Sequence, residues 1–149
     1  MHHENLYESL GIVYDSVKNE KIVWRLNGSF NLLLHEIDVN VHDLDIETDE
    51  KGLGIFREKL KDFVLEDYYQ KDIQAHTLIL EIEGVNVEIL AHDNSELGML
   101  NKIIKIKSDD MILPAISLEN MKTFYKMTGN EKKVILISEH QALMKSLDI

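Results

Sequence analysis

The sequence predicts an α+β fold, and three observations carry that reading. Residues 43–47, Asp-Leu-Asp-Ile-Glu, alternate polar and apolar, the period of a strand with one buried face. Residues 76–83 and 85–91 are two further strand-like runs that meet at Gly84. Elsewhere apolar positions recur at spacings of three and four, the period of amphipathic helices. A chain of 149 residues with 44% hydrophobic content is long enough for one compact domain, spanning 1–149, and too short for two.

Taken in order, Leu6, Leu10, Val13 and Val17 predict an N-terminal helix that packs on a sheet. Ile22-Val23-Trp24-Arg25-Leu26 reads as a short buried strand. Gly28-Ser29 follows it, and Phe30, Leu33, Leu34 and Ile37 then fall on one helical stripe, so the pair sits at a strand-to-helix junction. After the 43–47 strand, Asp49 is placed to cap a helix whose buried stripe is Leu53, Phe56, Leu60, Phe63 and Val64. Within residues 85–91, Val85, Val87 and Ile89 point one way while Asn86 and Glu88 point the other. Lys102 to Lys107 adds a short strand, and Ser117 caps a helix through Leu118, Met121 and Tyr125 that ends near Gly129. Val134 to Ile137 has strand composition, but Leu136, His140, Leu143 and Leu147 repeat at helical spacing, which favours a final helix. Tyr68-Tyr69 and the methionines read as packing residues.

The chemistry concentrates in two short stretches. A strand over 43–47 sets Asp43 and Asp45 on one side with their roots roughly 6.5 to 7 Å apart, close enough for their oxygens to converge on a hard divalent cation. Like charges this close repel unless something positive lies between them. At the junction, glycine permits close backbone approach, Ser29 brings a hydroxyl, and the amides of a helix start attract phosphate oxygens. Alone, the acids read equally well as the polar face of an edge strand, and Gly28-Ser29 reads as an ordinary turn and cap. Their succession points to a phosphate on one side and a metal on the other. His35, His42, His76 and His92 have no metal-ligand spacing.

In these residues the chain resembles the polymerase-beta-like nucleotidyltransferase superfamily, whose signature is a Gly-Ser pair, a variable spacer, here Phe30 to His42, and two carboxylates one residue apart. The local wording is similar to the small antibiotic-modifying and uncharacterised members. The resemblance implies a mixed β-sheet flanked by helices. It also implies in-line attack by an acceptor hydroxyl on the α-phosphorus of a nucleoside triphosphate, releasing pyrophosphate. Asp43 and Asp45 would hold Mg²⁺ (or Mn²⁺), Glu88 would be the third carboxylate, with Glu81 and Glu83 as competitors, and Gly28 and Ser29 would grip the terminal phosphates. Relatives carry a Lys or Arg and a Lys-Asp pair on their closing helices. Here Gly129-Asn130-Glu131-Lys132-Lys133 has lysines without the Asp, and Lys122, Lys126 and Lys132 are the candidate phosphate contacts. A non-catalytic binding or regulatory module of the same fold is the alternative. A toxin-antitoxin component is a third reading, lowered because Phe30-Asn31-Leu32-Leu33 stands where those relatives have an arginine-glycine pair.

Composition bounds the partners. With a net charge of −11 and only two arginines, Arg25 and Arg57, an extended nucleic-acid surface is not expected. A small-molecule acceptor fits better, with a homodimer or partner protein left open because so small a chain has little room for an acceptor pocket. There is no cysteine and no apolar run long enough to cross a membrane, so the expected location is cytoplasmic.

Overall fold

The structure, a computed structural model, describes residues 2–93 and 102–147. The elements run α1 (His2–Val17), β1 (Trp24–Asn27), α2 (Gly28–Leu34), β2 (Asp43–Thr48), α3 (Glu50–Lys59), a 3-10 turn (Lys61–Phe63), β3 (Val64–Gln70), β4 (Ala75–Ile82), β5 (Val85–His92), β6 (Ile104–Ser108), β7 (Met111–Ala115), α4 (Leu118–Met127) and α5 (Glu131–Leu147). Strands β1 to β5 form one mixed sheet in the order β1-β2-β5-β4-β3, and β6 and β7 form a separate antiparallel pair. Among the described residues only β2 and β5 pair in parallel. The α+β class with a mixed sheet and flanking helices is as the sequence predicts.

Alternation decides the two faces of the sheet. Leu26, Leu44, Ile46, Leu78, Leu80, Ile82, Val87 and Ile89 are buried on one face, where α1 and α3 contact the strands. Leu6, Leu10, Val13 and Val17 are buried as their spacing predicts, and Trp24 meets Phe56 edge to face at 5.7 Å. The predicted caps hold: the Asp49 side chain accepts from the Gly52 amide, and the Ser117 hydroxyl accepts from Asn120.

Several predicted details are corrected. The α3 helix stops at Lys59, and Val64 opens an unpredicted strand instead of extending the helical stripe. Phe63 and Val64 keep helical spacing, but Val64–Gln70 pairs with β4, a tertiary contact that overrides the local period. Tyr68 and Tyr69 on this edge strand are exposed rather than packed, and the Tyr69 hydroxyl donates to Asp93. The α2 helix buries Phe30, Asn31 and Leu32 and leaves Leu33 and Leu34 half-exposed. A strand beyond those expected, β7, contains Pro114, which sits opposite Lys105 in a two-stranded ladder where one missing donor is tolerated. The final helix exists, but Ile137 is its buried residue while Leu143 and Leu147 face solvent.

Buried polar contacts tie together elements distant in sequence. Arg25 and Glu47, register partners on β1 and β2, form a buried ion pair with Nε to Oε1 at 2.9 Å and Nη2 to Oε1 at 2.8 Å. His92 Nε2 lies 3.4 Å from the other Glu47 oxygen. The fully buried Asn31 amide donates to the Ile116 carbonyl at 3.0 Å and accepts from the Ile116 amide at 2.9 Å. This clamp sets the approach to α4, whose Met121 and Phe124 close over Arg25 and Glu47.

Replacing Arg25 by Leu strands the Glu47 carboxylate in the interior. Such a change is expected to lower stability by about 3 to 5 kcal/mol, and Glu47→Gln by less, as read from urea unfolding.

Candidate active site

Strand register gathers the acids. Asp43, Asp45 and Glu47 share the face of β2 opposite the core, and β2 lies between β1 and β5, so these residues do not edge the sheet. In the parallel β2/β5 ladder Asp45 pairs with Glu88 and Asp43 with Asn86. Partners on adjacent strands project from the same face with backbones about 4.8 Å apart, so Glu88 stands beside Asp45. Of the competitors, Glu81 on β4 is separated from Asp43 by Asn86, and Glu83 sits exposed in the β4–β5 turn at φ +53°. Glu47 belongs to a different group, held by Arg25 and His92.

The electrostatics register the crowding. Burial, then the charges of Glu88, Asp43 and Glu47, pushes the Asp45 carboxyl up to about 6. Burial, then Asp43, raises Glu88. Tyr125 on α4 is raised as well, first by burial and then by the charge of Asp45, which places its phenol in the field of the same acids.

The Gly28-Ser29 bend meets this row directly. Asn27 on β1 is the register partner of Asp45, so the chain turns from strand to helix beside that carboxylate. Gly28 has φ +66°, and a Cβ built on it would overlap the Asp45 carboxylate. Glycine is required here on both counts. Asn27 Oδ1 accepts from the Gly28 amide at 2.7 Å, so the first helix donor is already engaged. Ser29 Oγ is met from α5 by Lys133 Nζ at 3.5 Å.

Lys133 was not among the three lysines chosen from the sequence. Lys122 instead reaches Gln141 at 3.4 Å, Lys132 is exposed, and Lys126 lines a cavity between α4 and α5. The Lys132-Lys133 pair after Gly129 was visible, but only the packing of α5 against α4 selects which of the two faces Ser29. Asn27, the register partner of Asp45, and Tyr125, in the field of that acid, are not singled out by the sequence.

The donor set suits a hard cation. Asp43, Asp45 and Glu88 offer carboxylate oxygens, as Mg²⁺ and Mn²⁺ prefer, and burial first, then the neighbouring carboxylates, raises Asp45 and Glu88. Among the described residues no three His, Asp or Glu side chains are already drawn into a chelating cluster. The acids stand as neighbours on one face, with side-chain torsions left to bring them together.

The aminoglycoside-2''-adenylyltransferase family matches residues 9–143 of the chain. A protein of Thermotoga maritima assigned as a nucleotidyltransferase is similar at 26% identity, covering 99% of this chain and 96% of that one, with a TM-score of 0.77. The lincosamide antibiotic adenylyltransferase LnuA, solved with lincomycin bound, shares the fold at 16% identity, covering 91% and 95%, with a TM-score of 0.61. ANT(2'')-Ia in complex with adenylyl-2''-tobramycin does so at 8% identity, covering 95% and 91%, with a TM-score of 0.56. No curated protein matches the sequence.

Two outcomes test this geometry. Gly28→Ala forces a methyl into the Asp45 carboxylate at a left-handed φ and should lower stability by roughly 1 to 3 kcal/mol in thermal melts. Asp45 keeps its proton to about pH 6 when folded and only to the ordinary carboxylate range when unfolded, so its contribution to stability falls as pH rises between those values. In metal-free protein Asp45→Asn should therefore match the parent below about pH 4 and exceed it above pH 6, by at most about 3 kcal/mol.

Proposed function

Since the chain belongs to the aminoglycoside-2''-adenylyltransferase family, we propose that it transfers a nucleoside monophosphate, AMP in the first instance, from a nucleoside triphosphate to a hydroxyl of a small-molecule acceptor. The observation that carries this reading is the pairing of Asp45 with Glu88, with Asp43 on the same face, opposite the glycine bend that approaches Asp45.

In the reaction the acceptor oxygen forms a bond to the α-phosphorus, the bond from that phosphorus to the β-bridging oxygen breaks, and pyrophosphate leaves. The hydroxyl proton goes to a carboxylate of the row. Glu88 is suited to take it, because burial and Asp43 raise its proton affinity above that of an exposed glutamate. Asp43 and Asp45 would hold Mg²⁺ or Mn²⁺, with Glu88 as a further ligand or as the base. When bound, the ion supplies charge neutralisation on the triphosphate and leaving group. Ser29 and Lys133 lie where the outer phosphates would rest, the lysine adding the positive charge that the acid row lacks. No step requires a covalent enzyme intermediate; positioning and charge stabilisation suffice.

The acceptor approaches over the part of the same sheet face formed by β5, β4 and β3. Asn86, Glu81, Glu66 and Tyr68 are exposed there, on register rows continuous with Asp43, Glu88 and Glu47. An acidic platform with an aromatic rim favours a cationic, polyhydroxyl compound, and an amino sugar has that chemistry. No helix among the described residues is long and apolar enough to cross a membrane.

The test is transfer of label from α-³²P-ATP with Mg²⁺ to panels of aminoglycosides and lincosamides, followed by chromatography. Adenylylated product is expected from at least one amino-bearing acceptor, and Asp43→Asn with Asp45→Asn should reduce the rate by about a hundredfold or more. Absence of transfer, together with triphosphate binding that ignores both acids and metal, would favour a non-catalytic binding module.

A further inference from the structure

Ile116 joins the end of β7 to Ser117, the N-cap of α4, and side chains from α2 and its C-cap hold its peptide group. Asn31 Nδ2 donates to the Ile116 carbonyl at 3.0 Å, and Asn31 Oδ1 accepts from the Ile116 amide at 2.9 Å. His35 Nε2 donates to the same carbonyl at 2.7 Å, so both lone pairs of that oxygen are taken. Asn31 and His35 are four residues apart and therefore leave the helix on one side. The joint is dry, because Asn31 is fully buried and Ile116 nearly so.

The same short helix carries Ser29, two residues before Asn31. From Ile116 the chain runs through Ser117 into α4, α4 packs on α5, and α5 returns Lys133 to Ser29 with Nζ 3.5 Å from Oγ. The contacts thus close a ring that begins and ends on α2. Among the described residues, Lys133 to Ser29 is the only side-chain hydrogen bond between α2 and the two C-terminal helices, and it lies at the long limit for such a bond. So weak a link cannot seat α5. The buried amide bonds at Ile116 are shorter and leave polar groups stranded if broken, so they are the stronger restraint.

We propose that Asn31 is a positioning residue of the triphosphate grip: it fixes the head of α4 and, through α5, the gap between Lys133 and Ser29. The inference rests on the nucleotidyl-transfer reading above, which sets the outer phosphates against those two groups, and adds to it a residue that touches no substrate. An ammonium has three donors and a hydroxyl one, and both serve phosphate oxygens when the gap matches the anion. A shift of roughly 1 Å in the seat of α5 spoils that match.

Calorimetric titration with ATP and Mg²⁺ would compare the parent, Asn31→Ala, Lys133→Ala and the double variant, with thermal melts to confirm folding. Each single change is expected to raise the dissociation constant by about tenfold, and the double variant by less than about twofold beyond Lys133→Ala alone, because Asn31 acts through that lysine. A merely structural asparagine would weaken binding by the same factor in both backgrounds. Should Asn31→Ala fail to fold, His35→Ala takes its place: it removes one of the three bonds at a half-buried side chain and should give about a threefold rise that vanishes once Lys133 is Ala. No effect of the Asn31 or His35 change, an equal factor in both backgrounds, or no effect of Lys133→Ala would overturn the positioning role while leaving transfer, assayed on the parent, standing. A parent that neither binds ATP nor transfers label would overturn both.

Discussion

The structure depends on one electrostatic constraint, the confinement of Asp43, Asp45 and Glu88 to neighbouring positions on one face of a parallel strand pair. Register and alternation impose it. With Leu44 and Ile46 buried on the core face, Asp43 and Asp45 have no other side to occupy, and the β2/β5 ladder sets Glu88 beside Asp45. A slip of one residue in that ladder would send every apolar side chain of the strand to the wrong face, so the packing of the core holds the acids together. Repulsion within the row is sustained by hydrophobic burial on the opposite side of the same strands.

Around this row the remaining polar groups serve one of two ends. Arg25 and His92 address Glu47, the third acid of β2, which lies deepest beneath α4 and needs a partner to be buried. The Asn31 clamp on Ile116 has a different consequence: it ties the start of the polar-face helices to the helix that follows the glycine bend. Because α4 and α5 pack on each other, the position of Lys133 over Ser29 and of Tyr125 near Asp45 is inherited from that clamp. Asn31 and Ile116, 85 positions apart in sequence, thus meet through buried amide hydrogen bonds.

What the sequence made legible was whatever a local period or a local cap encodes. The alternation at 43–47, the glycine at 84 and the spacing of Leu6 through Val17 each express geometry over a few residues, and the corresponding elements are present. Glu88 was readable for the same reason, since Val87-Glu88-Ile89 shows its side of the strand without any partner. Registers and helix rotations were not readable. Nothing local distinguishes Lys133 from Lys132, nor tells that Arg25 faces Glu47 across a ladder. The strand over 64–70 was hidden because Phe63 and Val64 satisfy a helical spacing, and only pairing with β4 settles the conflict.

The same contrast explains how so acidic a chain can be suited to a polyanionic substrate. Net charge is a sum over the whole surface, whereas a site responds to the few groups within about a Debye length, and to buried ones most strongly. Here those groups are ordered along a line: Lys133 and the Ser29 hydroxyl at the bend, then the carboxylates, then the exposed acids of β4 and β3. A triphosphate alone would be repelled by the middle of that line and held at one end. On the proposed reading Asp43 and Asp45 would hold a divalent cation, and its charge would offset the repulsion that the middle of the line offers to a triphosphate. The acids of β4 and β3 beyond it would then face the positively charged acceptor proposed above, so that under that reading the order of charges along the face would be an order of substrates.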